Sequence, residues 1–297
     1  VTGAARVRVP RAVGRAGAGL SLLAGVALHA AGLAAAQAPP RLVVATTTSV
    51  RDAGLLAALL PAFEAESGRR VELIAVGSGA ALRLGARGEA DAVVSHAPEE
   101  EARLVAAGAL VDRRPFAVGW FVLVGPADDP AGVASATSAV DALGRIAAAS
   151  APWVSRGDES GTHRREQALL RAAGRDPAAR WPGFARTGAG MGPTLLVAGE
   201  RRAYALADRA TFEAFRERTG LVALFAAPDP ALRNEYAVLR PASGGHPRRR
   251  GDPEGARRFA EFLLAPETAA RIAAFGRDAG GAPLFAPPGT PGPELAP

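Results

Sequence analysis

Read for hydrophobic period alone, the chain alternates between short β-branched runs and longer stretches with helical spacing. Arg41-Leu-Val-Val-Ala45 is an apolar run that predicts a buried strand. From Asp52 to Ser67, leucines at 55, 56, 59 and 60 and then Phe63 mark one face of a helix, with Gly68 where it should end. Val71 to Val76 predicts the next strand, which opens into Gly77-Ser78-Gly79 and another helix start. Asp91 to Ser95 is a short strand leading to His96-Ala97-Pro98, after which Glu99 to Glu101, expected to be solvated, begins a helix. Trp120 to Val124 predicts a strand that crosses between lobes. A helix from Ser138 to Ala149 follows, and Trp153 leads into a polar turn ahead of a helix from Arg164 to Ala173. Further on, Pro193–Glu200 and Asp208–Arg218 have helical character, and Tyr204–Ala207, Leu221–Ala226 and Asn234–Leu239 strand character, the last being a second crossing. Asp252 to Phe275 is helical with a break near Pro266.

Strands alternating with helices predict the α/β class. A length of 297 residues suggests two domains, and 48% hydrophobic residues suffice for their cores. The absence of cysteine excludes disulfides and thiolate metal sites. Four histidines show no metal-ligand spacing.

Charge changes the picture at the N-terminus. Arg6, Arg8, Arg11 and Arg15 precede an apolar run from Ala16 to Ala36, and Ala36-Gln37-Ala38 has the small-x-small form of a cleavage site. This is the pattern of a signal peptide over 1–38; a retained membrane anchor is the alternative. Those residues hold four arginines and no acid, so the rest of the chain carries +2 of the formal +6. A chain so near neutrality gives no argument for nucleic acid. Arg248-Arg249-Arg250 reads as a solvated loop, with a membrane or acidic partner as the alternative, and residues 287–297 as a disordered tail.

Three polar turns, at 46–49, 78–81 and 155–162, each follow a predicted strand and begin a helix. Ligands of open α/β sheets sit at such strand ends. The longest, Val-Ser-Arg-Gly-Asp-Glu-Ser-Gly-Thr-His from Val154 to His163, holds one guanidinium, three hydroxyls and two glycines. The first N–H groups of a helix lack intrahelical partners and carry partial positive charge, so a helix start with an arginine and hydroxyls is an anion trap. The plain alternative is a capped helix start in which Arg156 pairs with Asp158. One cap needs one hydroxyl, whereas Thr46-Thr47-Thr48-Ser49 supplies four.

Together these residues resemble the tungstate-binding solute receptors of bacterial ABC importers, from about Leu42 to Pro287. The landmarks occur in that family's order: Ala-Thr-Thr-Thr-Ser (45–49), Val-Gly-Ser-Gly-x-Ala (76–81), His-Ala-Pro-Glu (96–99), Ser-Arg-Gly-Asp-x-Ser-Gly-Thr-His (155–163), Gly-x-Gly-Met-Gly (188–192), Asp-Arg-x-Thr (208–211) and Asn-x-Tyr (234–236). The resemblance implies a two-lobed periplasmic-binding-protein fold, each lobe a mixed sheet flanked by helices. Lobe I would hold 39–121 and 236–286, and lobe II 122–235. It implies an oxyanion site of Thr47, Thr48, Ser49, Ser78, Arg156, Ser160, Gly161 and Thr162, with Arg156 and Thr162 the principal ligands of lobe II. It further implies tungstate or molybdate as ligand, a membrane permease as partner, a monomeric state, no cofactor and a periplasmic location. The chain departs from the family pattern at Val118-Gly119-Trp120, Ala189 and Trp181-Pro182.

The rivals are a phosphate receptor, which shares the Arg-x-Asp-x-Ser-Gly-Thr motif, and a hydrolase using Ser160 and His163. Phosphate carries a proton near neutral pH and is recognised through an acceptor carboxylate, but His96 stands where phosphate receptors place Asp. A hydrolase would need a positioned base and an orienting acid, and the Gly-x-Ser-x-Gly elbow is absent. His163 is expected on a helix surface or in packing, and the role of His96 is open between site and structure.

Overall fold

The computed structural model describes residues 38–290 other than 179, 227 and 243–250. Most of the expected signal segment, the Arg248–Arg250 triplet and residues 291–297 lie outside that set.

The first lobe is built on strands β1 (Arg41–Thr47), β2 (Arg70–Val76) and β3 (Ala92–Ser95), with β1 parallel to both neighbours. Two long strands, β4 (Leu110–Gly125) and β9 (Arg233–Pro241), complete its sheet in the order β2-β1-β3-β9-β4. Alternate side chains leave opposite faces of a strand. Val44, Val94 and Val238 therefore join one apolar core, while Val43, Val93 and Leu239 join another on the far face. Phe63 of α2 (Leu55–Ser67), Phe259 of α9 (Pro253–Leu264) and Ile272 of α10 (Pro266–Ala274) cover the first. Leu82 of α3 (Ser78–Ala86) and Leu104 of α4 (Pro98–Ala106) cover the second.

The second lobe uses the far end of β4. There Phe121–Val124 pairs antiparallel with β7 (Ala205–Asp208), and Leu123–Gly125 with β8 (Val222–Phe225). Strand β5 (Trp153–Ser155) runs parallel to β6 (Phe184–Arg186) and touches β7 through a Trp153–Tyr204 bridge. Helices α5 (Ala139–Ala148) and α6 (Gly161–Ala172) cover one face, and α7 (Met191–Glu200) and α8 (Arg209–Thr219) the other. The strands β4 and β9 pair with each other from Leu110 to Trp120 and carry the chain between lobes, so both crossings are one antiparallel ribbon.

Several local expectations change. The helix expected from Asp52 is two, α1 (Thr48–Asp52) and α2, separated by Gly54 at φ 79°. A left-handed residue ends one helix and redirects the next, and glycine adopts it without a Cβ penalty. Glu101 is fully buried rather than solvated: it accepts the Ala97 N–H at 2.7 Å and pairs with Arg113 at 2.8 Å. The helix expected from Arg164 begins at Gly161, because Ser160 caps it by accepting the His163 N–H. At the start of the expected tail, the Thr290 carbonyl accepts from Arg233 at 3.0 Å.

Candidate functional site

All three polar turns meet where the lobes face each other. At the end of β1, the Thr47 hydroxyl caps α1 by accepting the Val50 N–H at 3.1 Å. The α3 start places Ser78 opposite α6, where its Oγ accepts the Gly161 N–H at 3.0 Å. The end of β5 carries Arg156 into the same space. Its guanidinium donates to Thr48 Oγ1 at 3.3 Å, to Ser49 Oγ at 3.4 Å and to Asp158 at 2.6 Å. The Arg156–Asp158 pair expected of a plain capped turn is thus present, and the same guanidinium also reaches across to the other lobe. Thr47, Ser49, Ser78, Arg156, Ser160, Gly161 and Thr162 are buried, and Thr48 is half-buried.

The hydrogen bonds give the site a chemical sign. The hydroxyls of Thr47, Ser78 and Ser160 each use a lone pair to accept a backbone N–H. Each keeps its own proton to donate. Thr162 Oγ1 and Arg156 Nε are buried without a hydrogen-bond partner among the described residues, as is Thr46 Oγ1, next to Thr47 in sequence. Buried donors are nearly always paired, so unpaired ones grouped at a cleft suit a ligand made of acceptors. The N-termini of α3 and α6 add N–H groups without intrahelical partners and partial positive charge. The nearby carboxylate, Asp158, is already committed to Arg156 and to the Ser160 N–H at 3.2 Å. Such a donor set fits a fully deprotonated oxyanion.

Behind Ser49 lies a chain of buried polar groups that sequence reading did not assemble. Ser49 Oγ is 3.2 Å from His96 Nε2, and His96 Nδ1 is 2.9 Å from Asn234 Oδ1. The Asn234 amide nitrogen donates to Asp208 at 2.7 Å and to the Tyr236 hydroxyl at 2.9 Å, and that hydroxyl in turn donates to Asp208. The His96 ring stacks on Tyr236 with centroids 5.3 Å apart. Burial holds the imidazole below its usual range; Asp208 and the Asn234 bond oppose this, while Arg156 and Arg165 reinforce it. These groups come from β1–α1, β3–α4, β7–α8 and β9. The one local signal was a run of polar residues, Asn234 and Tyr236 included, in a strand otherwise fit for burial.

Ser160 and His163 do not form a nucleophile–base pair in this geometry. The His163 ring accepts the Glu159 N–H through Nδ1 at 3.1 Å and meets Gln167 at 3.2 Å through Nε2, while Ser160 Oγ is held by the His163 main chain. Both ring nitrogens are thus engaged by neighbours other than the Ser160 hydroxyl. His163 is buried and packs, which excludes the helix-surface alternative. One turn further along α6, Glu166 is buried facing the Ser155 hydroxyl and the Trp153 indole N–H, and burial pushes its carboxyl up to about 7.

Two α/β lobes joined by a strand ribbon, with a donor-lined cleft between them, define the architecture of a solute-binding protein. Comparison with known proteins agrees. Residues 34–267 match the family model described as a PBP superfamily domain. The tungstate-binding protein TupA of Peptoclostridium acidaminophilum is 37% identical over 253 residues, which cover 84% of this chain and 87% of that protein. A putative ABC transporter anion-binding protein of Haloferax volcanii is 39% identical over 250 residues, covering 83% of this chain and 71% of that protein. The crystal structure of the tungstate ABC transporter from Geobacter sulfurreducens aligns with a TM-score of 0.71 at 40% identity, covering 79% of this chain and 98% of that chain. The chain belongs to the PBP superfamily, in the same family as these relatives.

Proposed function

We propose that the chain is the substrate-binding component of an ABC importer and that it captures tungstate, with molybdate the second candidate oxyanion. The observation that carries this reading is the set of buried donors without acceptors, Arg156 Nε and Thr162 Oγ1, beside hydroxyls that each already accept a backbone N–H and keep a proton to donate. The proposed ligands are Thr47, Thr48, Ser49, Ser78, Arg156, Ser160, Gly161 and Thr162. A tetrahedral dianion offers four acceptor oxygens and no proton. Each charge-assisted hydrogen bond contributes about 1.5–3 kcal/mol, so several together offset the anion's desolvation. The names of the relatives support tungstate in particular. Phosphate is not favoured, because His96 stands where a phosphate receptor places the carboxylate that accepts the phosphate proton, and Asp158 is engaged by Arg156 and Ser160.

In this reading the protein binds and releases its anion without turnover. Its segments 39–121 and 236–286 form one jaw and 122–235 the other. It works as a monomer in the periplasm, exported by residues 1–38, and delivers the anion to a membrane permease without a cofactor. Equilibrium dialysis of the purified protein against a mixture of tungstate, molybdate, sulfate and phosphate, with each element quantified, tests the ligand. One tungsten retained per chain with sulfur and phosphorus at background is expected; retention of phosphorus alone would transfer the site to phosphate.

A further inference from the structure

The buried chain behind Ser49 has a fixed polarity. Asp208 accepts from the Asn234 amide nitrogen, which orients that amide so that its oxygen faces His96 Nδ1. An oxygen there needs Nδ1 to carry a proton. In a neutral ring the other nitrogen, Nε2, is then a bare lone pair, and Ser49 must donate its only proton to it. Ser49 also lies 3.4 Å from an Arg156 donor and 3.3 Å from Thr47 Oγ1. With neutral His96, Ser49 therefore offers the cleft no O–H, although its position makes it a candidate anion ligand.

Charge accounting runs the same way. The cations Arg156 and Arg165 act on His96 from β5 and α6, and Asp208 from the end of β7. Asp158 pairs with Arg156, Glu99 of α4 acts on Arg165, and the positive end of α6 lies against the ring, where a Cβ on Gly161 would come within 3.0 Å of it. Arg156 is thus ion-paired, and Arg165 feels the carboxylates of Glu99 and Asp229, before any anion enters. A bound dianion brings two further negative charges one hydroxyl away from His96, which favours the charged imidazole. A cavity of about 210 Å³, separate from the hydroxyl turns, is lined by His96, Arg165, Arg233, Asn234 and Glu235.

We propose, building on the oxyanion-receptor reading, that His96 is a ligand-determining residue: it takes up one proton from solvent when the dianion binds and turns Ser49 from a donor to His96 into a donor to the anion. The proton adds to Nε2, the new Nε2–H donates to Ser49 Oγ, and the released Ser49 O–H turns into the cleft toward an anion oxygen. His96 acts on the anion through Ser49 and is a positioning residue.

The test is calorimetric titration of the purified protein with sodium tungstate, between about pH 6 and 8, in pairs of buffers of different ionisation enthalpy. Up to one proton is expected to be taken up per anion, with Kd weakening by up to about tenfold per pH unit as the pH rises through the linked window. The His96→Gln variant should bind more weakly and take up no proton. Tungstate binding with no proton uptake at any pH, or uptake that persists in His96→Gln, would overturn the proposal. If that variant does not fold, nitrogen NMR of the wild-type imidazoles decides: Nε2 of His96 should gain a proton on adding tungstate at constant pH, and an unchanged neutral ring would overturn it. Absence of tungstate binding altogether would instead overturn the receptor reading, and this proposal with it.

Discussion

Ser78 Oγ accepts the backbone N–H of Gly161 at 3.0 Å, so a hydroxyl of one lobe is seated on the first turn of a helix in the other. This bond aligns the Ser78 proton for a ligand and holds the α6 N-terminus against the opposite lobe. Ser78→Ala leaves a buried N–H unpaired and removes one donor. A loss of at least about tenfold in tungstate affinity is expected, since a charge-assisted bond is worth about 1.5–3 kcal/mol. Titration of the variant checks it.

Arg156 spans the cleft. It holds Asp158 at 2.6 Å and approaches Thr48 and Ser49 from the opposite lobe. Arg156→Ala is expected to weaken tungstate binding at least about tenfold, because a charge-assisted contact is lost and Asp158 is left without its cation. Arg156→Lys should recover only part, since an ammonium is a point charge without the fork that reaches three partners. Unchanged affinity in the alanine variant would remove Arg156 from the site.

Gly161 is required by close approach. A Cβ there would stand 3.0 Å from His96 Cε1 and 3.2 Å from both His96 Nδ1 and the His96 carbonyl oxygen. The carbonyl is backbone and cannot rotate aside. Gly161→Ala should therefore displace His96 from Asn234 and cost about 1–3 kcal/mol, as overpacking does. Urea denaturation of the anion-free protein reads the loss directly.

Glu166 gives the second lobe a pH signature of its own. Burial raises its carboxyl from 4.5 in the open chain to about 7 in the folded protein. The folded state then binds more protons than the unfolded state between those values, so stability falls as pH rises through that window. Below about pH 4.5 the contribution is fully present, and above about pH 7 it is lost. Glu166→Gln keeps the side chain's shape and removes the titration. The difference in urea midpoint between pH 5, near the low end of that window, and pH 8, about one unit above it, should be smaller in the variant than in the wild type. Equal pH dependence in both would contradict the assignment.

What the sequence disclosed follows the range of the forces involved. Strand and helix positions were legible because period-two and helical spacing are local, as at Val71–Val76 and Leu55–Phe63. Arg156 and the hydroxyl turns were legible because each motif is contiguous. Glu101 was misread, because nothing in Glu99-Glu100-Glu101 says which carboxylate faces the Ala97 N–H and Arg113. The break at Gly54 was hidden by apolar spacing that continues across it. The His96–Asn234–Asp208–Tyr236 network includes a hydrogen bond between residues 138 apart in sequence, so no local pattern encodes it. Nor could sequence reveal that Ser78 and Gly161 bond to each other, since that depends on how the lobes meet.

The most direct test of the central claim is diffraction at the tungsten absorption edge from crystals grown with tungstate. One anomalous peak is predicted in the cleft, within hydrogen-bonding distance of Arg156, Thr162 and Ser78. A single peak elsewhere on the protein, or none in crystals of folded protein at saturating tungstate, would contradict the account.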